Sequence, residues 1–253
     1  MNPPLSVAPV WINANPSFKY FDGRVIRYLS DRAPINYWEH HQELDEASSL
    51  TIALTLLHDY LKSKPLPVNL VGHATGGLLG LLYARKYPHR VKSLTLLAVG
   101  HAPGIDWQTH YYQMRKLLPW SQEMLLAKMV QMMFGYQCHS RVKNLIKILQ
   151  HDLLTAPTNH SLYQLDQIAA AGVEMPMMVC GSDNDGIVDR PALDGWSSFF
   201  KESDVIWSSP AGHHFFHYFF PESTGSQIIK FWQQVEVQPE VLATQTVTIT
   251  DHR

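Results

Sequence analysis

Cysteine, long apolar runs and any surplus of positive charge are what this sequence has least of, and each shortage closes off a class of function. Twenty Lys and Arg stand against 22 Asp and Glu, a formal charge of -2. With no sustained Lys/Arg stripe, the chain lacks the cations that would neutralise phosphates, so nucleic acid is not an expected partner. No stretch approaches the roughly 18 uninterrupted apolar residues read as a membrane span, and the first residues lack a positive n-region and an apolar h-region. A soluble, cytoplasmic protein is the expectation. The two cysteines, Cys138 and Cys180, are too few and too far apart for a disulfide framework or a metal cluster. Both are expected as reduced packing residues, and no metal or cofactor is expected. Internal repeats and low-complexity tracts are also missing.

What is present is enough apolar material, 45% of 253 residues, for one large domain with a buried core. Short apolar runs at 7–13, 35–39, 68–72, 93–99, 177–181 and 205–209 alternate with helical periods at 47–62, 76–86, 191–201 and 225–236. That order predicts an α/β fold: a parallel sheet of about six strands flanked by helices. Residues 104–172 interrupt the alternation with apolar side chains at helical spacing, among them Leu125, Met129, Met132 and Met133. They predict a helical cap inserted before the strand at 177–181, over the carboxyl ends of the strands where such sheets bind ligands. An ordinary helical subdomain with a Met-rich core fits the same periodicity. The expected division is a core of 1–103 and 173–237, a cap of 104–172 and a tail of 238–253, in which only Val247-Thr248-Ile249-Thr250 alternates like a strand.

The most informative stretch is Val71-Gly72-His73-Ala74-Thr75-Gly76-Gly77, where a strand runs directly into an amphipathic helix. It is G-x-S-x-G with alanine in place of serine. Such a turn forces its central residue into a strained conformation and needs small neighbours where strand and helix backbones meet. It also aims the helix N-terminus at any negative charge developing above it.

With the strand before it, the helix after it and the apolar run at 87–100 that follows, this segment resembles the α/β-hydrolase family, over nearly all of residues 8–235. The family's first two strands have no counterpart ahead of the strand that reaches Asn13. The resemblance implies a serine-hydrolase triad in the order nucleophile, acid, histidine. Position 74 is the nucleophile position. In Gly181-Ser182-Asp183-Asn184-Asp185-Gly186-Ile187-Val188, the acid matches Asp185, with Asp183 as the alternative. In Pro210-Ala211-Gly212-His213-His214, the histidine directly after the glycine is His213; His214 and His217 are read as packing or surface residues. Asn13-Ala14-Asn15-Pro16 stands where the family often has His-Gly, and it implies an oxyanion hole from the backbone N–H groups of Asn15 and Thr75.

In a working triad, serine attacks a carbonyl, histidine takes its proton and a buried carboxylate orients the imidazole. Ala74 has no lone pair with which to attack, and the Thr75 side chain is expected to point away from the histidine. The reading is therefore a hydrolase of an ester, thioester or related acyl compound when serine stands at position 74, without a nucleophile as written. The alternative is a non-catalytic relative that binds a small apolar ligand under the cap. An otherwise full motif set favours recent or engineered loss of the hydroxyl. The cap's Trp107, Tyr111, Trp120 and Met133 are the expected substrate-binding wall, with a bulky apolar or acyl group as substrate.

Overall fold

Strand side chains alternate faces, so a strand buried on both sides has to be apolar throughout. In the computed structural model, which describes residues 5–247 apart from 44, 65, 66, 159 and 166, β1 (Val10–Asn13), β3 (Val68–His73) and β5 (Met177–Ser182) are buried at every position. Together with β2 (Asn36–Glu39), β4 (Val91–Leu97) and β6 (Val205–Ser209) they form one sheet in the order β2-β1-β3-β4-β5-β6. All five pairings are parallel. All six strands expected from the sequence are present, with ends moved by no more than three residues.

The alternation sorts the core onto two faces. Val10, Ile12, Leu70, Leu94 and Leu96 join one cluster, which also holds Leu57 of α2 (Leu50–Leu61) and Leu79 of α3 (Thr75–Lys86). Trp11, Val71, Leu97, Met178 and Cys180 face the other way, against Val25 of α1 (Lys19–Ser30) and, later in the chain, Phe231 and Trp232. The sequence reading did not name α1, although its burial of Phe21, Val25 and Leu29 follows helical spacing.

Residues 104–172 carry three helices, α4 (Trp107–Leu117), α5 (Gln122–Phe134) and α6 (His139–Thr155), and no strand among the described residues. α4 and α5 begin at side-chain caps, Asp106 accepting from the Thr109 amide and Ser121 from that of Met124. α5 packs on the turn His213–Phe215, and α6 on the turn Pro16–Phe18. The insertion thus leans on the loops that follow β1 and β6.

Several expectations need correcting. The segment at 191–201 is broken into a short helix, α7 (Arg190–Asp194), and a 3-10 turn, Gly195–Phe199. After α8 (Phe216–Phe219), the last helix, α9 (Pro221–Val247), continues through 238, where a tail was expected to begin; residues 248–250 of the alternating run lie outside the described residues. Cys180 is a packing residue, but Cys138 is exposed at the start of α6. No helix among the described residues is long and apolar enough to cross a membrane.

Candidate active site

The order 2-1-3-4 reverses the direction of winding between β1 and β3, and in such sheets the crevice at that reversal is where ligands bind. The turn from β3 into α3 lies there. Ala74 is held at φ 47°, ψ -120°, a region an L-residue enters only when its surroundings enforce it. The glycines explain how. A side chain on Gly76 would run into the Ile12 carbonyl, and one on Gly72 would meet the backbone of Gly76 at 2.5 Å. The Ala74 N–H donates to the Leu97 carbonyl at 2.9 Å, which fixes the turn to β4.

Asp185, in the loop after β5, is buried at 5% exposure. One carboxylate oxygen accepts the Ile187 amide at 2.8 Å, and the other lies 2.9 Å from Nδ1 of His214. A carboxylate can only accept here, so His214 holds its proton on Nδ1 and leaves Nε2 bare. That Nε2 is buried and has no hydrogen-bond partner. His214 and Ala74 line the same cavity. Asp185, singled out in the sequence, thus pairs with His214 and not with His213, the histidine singled out beside it. His213 is not at the pair: its Nδ1–H donates to the Asn184 carbonyl at 2.8 Å, and its ring lies against Gly135 at the end of α5. The reason is backbone geometry, since Gly212 and His213 both take positive φ, 109° and 52°, and delay the entry of the chain into the site by one residue. Asp183 is exposed and bonded to Ser208 and Arg190, which hold its carboxyl below the ordinary range.

The cavity above Ala74 is small, about 10 Å³, roughly room for one water. Thr75, Ala98, Val99, Pro103, Ile105 and Asp106 complete most of its wall. Ala98, at φ 54°, and Ile105 are wall residues that no motif flagged. Of the two expected oxyanion donors, Thr75 reaches the cavity. Asn15 does not line it, and its N–H is already given to Oδ1 of Asn13 at 2.9 Å. None of the four expected substrate-binding residues lines it either. Trp107, Tyr111 and Met133 are buried in the main core, while Trp120 is 39% exposed. The first three lie on helices whose apolar faces satisfy one another first, and Trp120 lies between α4 and α5.

A family model for the alpha/beta hydrolase fold matches residues 61–135, the stretch that contains the β3–α3 turn. The uncharacterized protein alr2406 of Nostoc sp. strain PCC 7120 is 43% identical over 230 residues, 91% of this chain and 92% of that one. The chain has the α/β-hydrolase fold and belongs to one family with that Nostoc protein. Solved structures share the fold at low identity. A lipase-esterase related protein from Clostridium acetobutylicum superposes with a TM-score of 0.62 at 13% identity, over 88% of this chain and 93% of that one. The type II thioesterase BorB, from the borrelidin biosynthetic cluster, does so at 0.59 and 16%, over 91% and 94%.

Within this α/β-hydrolase fold the insertion is tied to the loop after β1 by Asp152 of α6. Its buried carboxylate accepts Nδ2 of Asn15 at 3.1 Å on both oxygens and Nε1 of Trp107 at 3.1 Å. Burial raises its pKa to about 7, and the bonds from Asn15 and Trp107 pull in the opposite direction. Because the folded state keeps this proton up to about pH 7 while the unfolded chain releases it near 3.8, the native state binds more protons between those values. Its contribution is full below about pH 4 and is lost as pH rises through 7. Asp152→Asn should therefore flatten part of the pH dependence of Tm. The parent-minus-variant stability is expected to fall by roughly 2–4 kcal/mol between pH 4 and pH 8. Thermal melts across that range read it, and a difference that stays constant with pH would contradict the assignment.

One further group of side chains escaped the sequence reading because its members are up to 195 residues apart. Asp22 of α1, His73 at the end of β3 and His217 of α8 meet behind the turn, all buried and none lining the cavity. Oδ1 of Asp22 lies 3.0 Å from Nε2 of His217, and Trp11 Nε1 donates to Oδ2 at 3.1 Å. His73 donates from Nε2 to the His214 carbonyl at 2.9 Å. Burial, reinforced by His217 and His214, pushes the His73 pKa well down, so its ring is neutral.

Proposed function

We propose that this chain has the site of an acyl hydrolase, for an ester, thioester or related substrate, silenced by alanine at the nucleophile position. The observation that carries the reading is the buried Asp185–His214 pair, whose Nε2 has no partner and whose histidine lines the same cavity as Ala74. An alanine held at φ 47° costs about 1–3 kcal/mol of backbone strain. That conformation has a use when a hydroxyl is there to be presented. With serine at position 74, His214 takes the hydroxyl proton as the oxygen attacks the acyl carbon, and Asp185 stabilises the imidazolium. The Thr75 N–H, at the start of α3, stabilises the oxyanion, and His214 then returns the proton to the leaving group. With alanine, no covalent step is available.

The test is covalent labelling. Ala74→Ser should react stoichiometrically with an aryl or alkyl fluorophosphonate, read as a mass increase on the peptide containing position 74, and the parent should stay unlabelled. A variant that folds but takes no label would refute the reading.

A second reading, a pseudo-hydrolase that binds a small apolar ligand, has its own support. The Asn15 N–H is engaged within the loop, and the cavity at Ala74 holds little more than a water. A neighbouring pocket of about 330 Å³, bounded by Ala102, Gly104, Ile105, Thr109, Leu165 and Ile168 among others, shares Ile105 with it. That volume is at the lower end of small-molecule sites.

A further inference from the structure

We propose that Asp22, His73 and His217 form a binding site for a divalent transition-metal ion of the zinc type. The donor set, two imidazoles and one carboxylate, is one that zinc takes; calcium and magnesium take oxygen ligands instead. The three residues are buried at 3%, 5% and 0% exposure, so water does not compete for their lone pairs.

The hydrogen bonds fix where those lone pairs are. The His214 carbonyl can only accept, so His73 carries its proton on Nε2 and its Nδ1 is bare. Asp22 accepts from Nε2 of His217, which leaves the Nδ1 lone pair of His217 buried with no partner. Such an orphaned acceptor in the interior calls for a donor or a cation. In His73 the other nitrogen is held by a backbone carbonyl, the arrangement that orients metal-binding histidines and raises their basicity.

Distances agree. One candidate ligand atom from each residue lies within 4.8 Å of the others, and the two rings are 4.4 Å apart between centroids. Ligand atoms about 2.0–2.1 Å from a tetrahedral zinc stand about 3.4 Å apart, so a pair at the 4.8 Å limit must close by about 1.4 Å through side-chain rotation. His217 and Asp22 share one ion through Nε2, because Nδ1 is on the other side of the ring from Asp22. Coordination through Nε2 moves the proton now shared with Asp22 to Nδ1 or releases it, so charge balances in either case.

None of the three residues lines the cavity at Ala74. The ion would therefore be structural: it would clamp α1, the end of β3 and α8 together, and through His73 hold the carbonyl of His214. The competing arrangement is the same residues as a metal-free hydrogen-bonded relay.

The full-length chain, stripped with a chelator and then titrated with Zn²⁺, distinguishes the two. Expected are one tight equivalent per chain by calorimetry, a Tm rise of several degrees at excess metal, and an affinity at least about 100-fold weaker in His217→Gln and in Asp22→Asn. His139→Ala, a histidine on another element, should bind as the parent does. Absence of a tight equivalent, or one retained in both site variants, would overturn the proposal. If those variants do not fold, Co²⁺ on the unaltered chain decides. Intense visible bands of a four- or five-coordinate ion saturating at one equivalent support the site, and only the weak absorbance of hydrated cobalt refutes it.

Discussion

Ala74→Ser should raise aryl-ester turnover by about 10³-fold or more over the parent. The size follows from opposing effects. Removing the serine of a complete triad costs about 10⁶ in kcat, and restoring it to a complete site would regain about as much. Losing one oxyanion donor costs about 10² to 10³, and here the Asn15 N–H is taken by Asn13. The surviving gain is therefore nearer 10³ than 10⁶. Short-chain p-nitrophenyl esters suit the measurement, because the cavity of about 10 Å³ admits little beyond the reacting carbonyl without movement of Ile105. Equal turnover by parent and variant would instead mean that His214 activates water, or that the site does no acyl chemistry. Tight capture of an apolar ligand by a silent serine variant would favour the pseudo-hydrolase.

In the Ala74→Ser background, His214→Ala should return activity to the level of the parent, and His213→Ala should leave it within a small factor. Triad members act as a unit, so losing the base costs about as much as losing the nucleophile. His213 holds the loop through Asn184 instead, with hydrogen bonds at 2.9 Å from its N–H and 2.8 Å from Nδ1. Its removal should appear as roughly 1 kcal/mol of stability, visible in denaturant melts. Rate loss in His213→Ala with retention in His214→Ala would restore the histidine the motif alone selects. Loss in both would mean that the loop conformation, set by Gly212 and His213 together, matters more than either ring.

The six strands, the helical insertion and the strand-turn-helix at Ala74 were legible because each rests on local periodicity or on small residues at fixed spacing. Burial of a parallel strand needs a continuous apolar run, and Gly72 and Gly76 are dictated by backbones in contact. Asp185 was singled out because it directly precedes Gly186-Ile187-Val188; its pairing with His214 is a contact only the tertiary structure shows. Tertiary structure alone decided the rest. Which of two adjacent histidines turns inward depended on two positive φ angles, and Gly135, the residue that His213 packs against, is 78 positions earlier in the chain. Whether Asn15 could offer its N–H depended on where the Asn13 side chain turned. Trp107, Tyr111 and Met133 went into the core because apolar faces on neighbouring helices bury one another wherever they can. Asp22, His73 and His217 met because α1, β3 and α8 converge behind the turn. Local pattern determines which elements form and which faces are apolar; the direction a side chain takes at a junction is settled by contacts between residues far apart in sequence, and the site is made of such junctions.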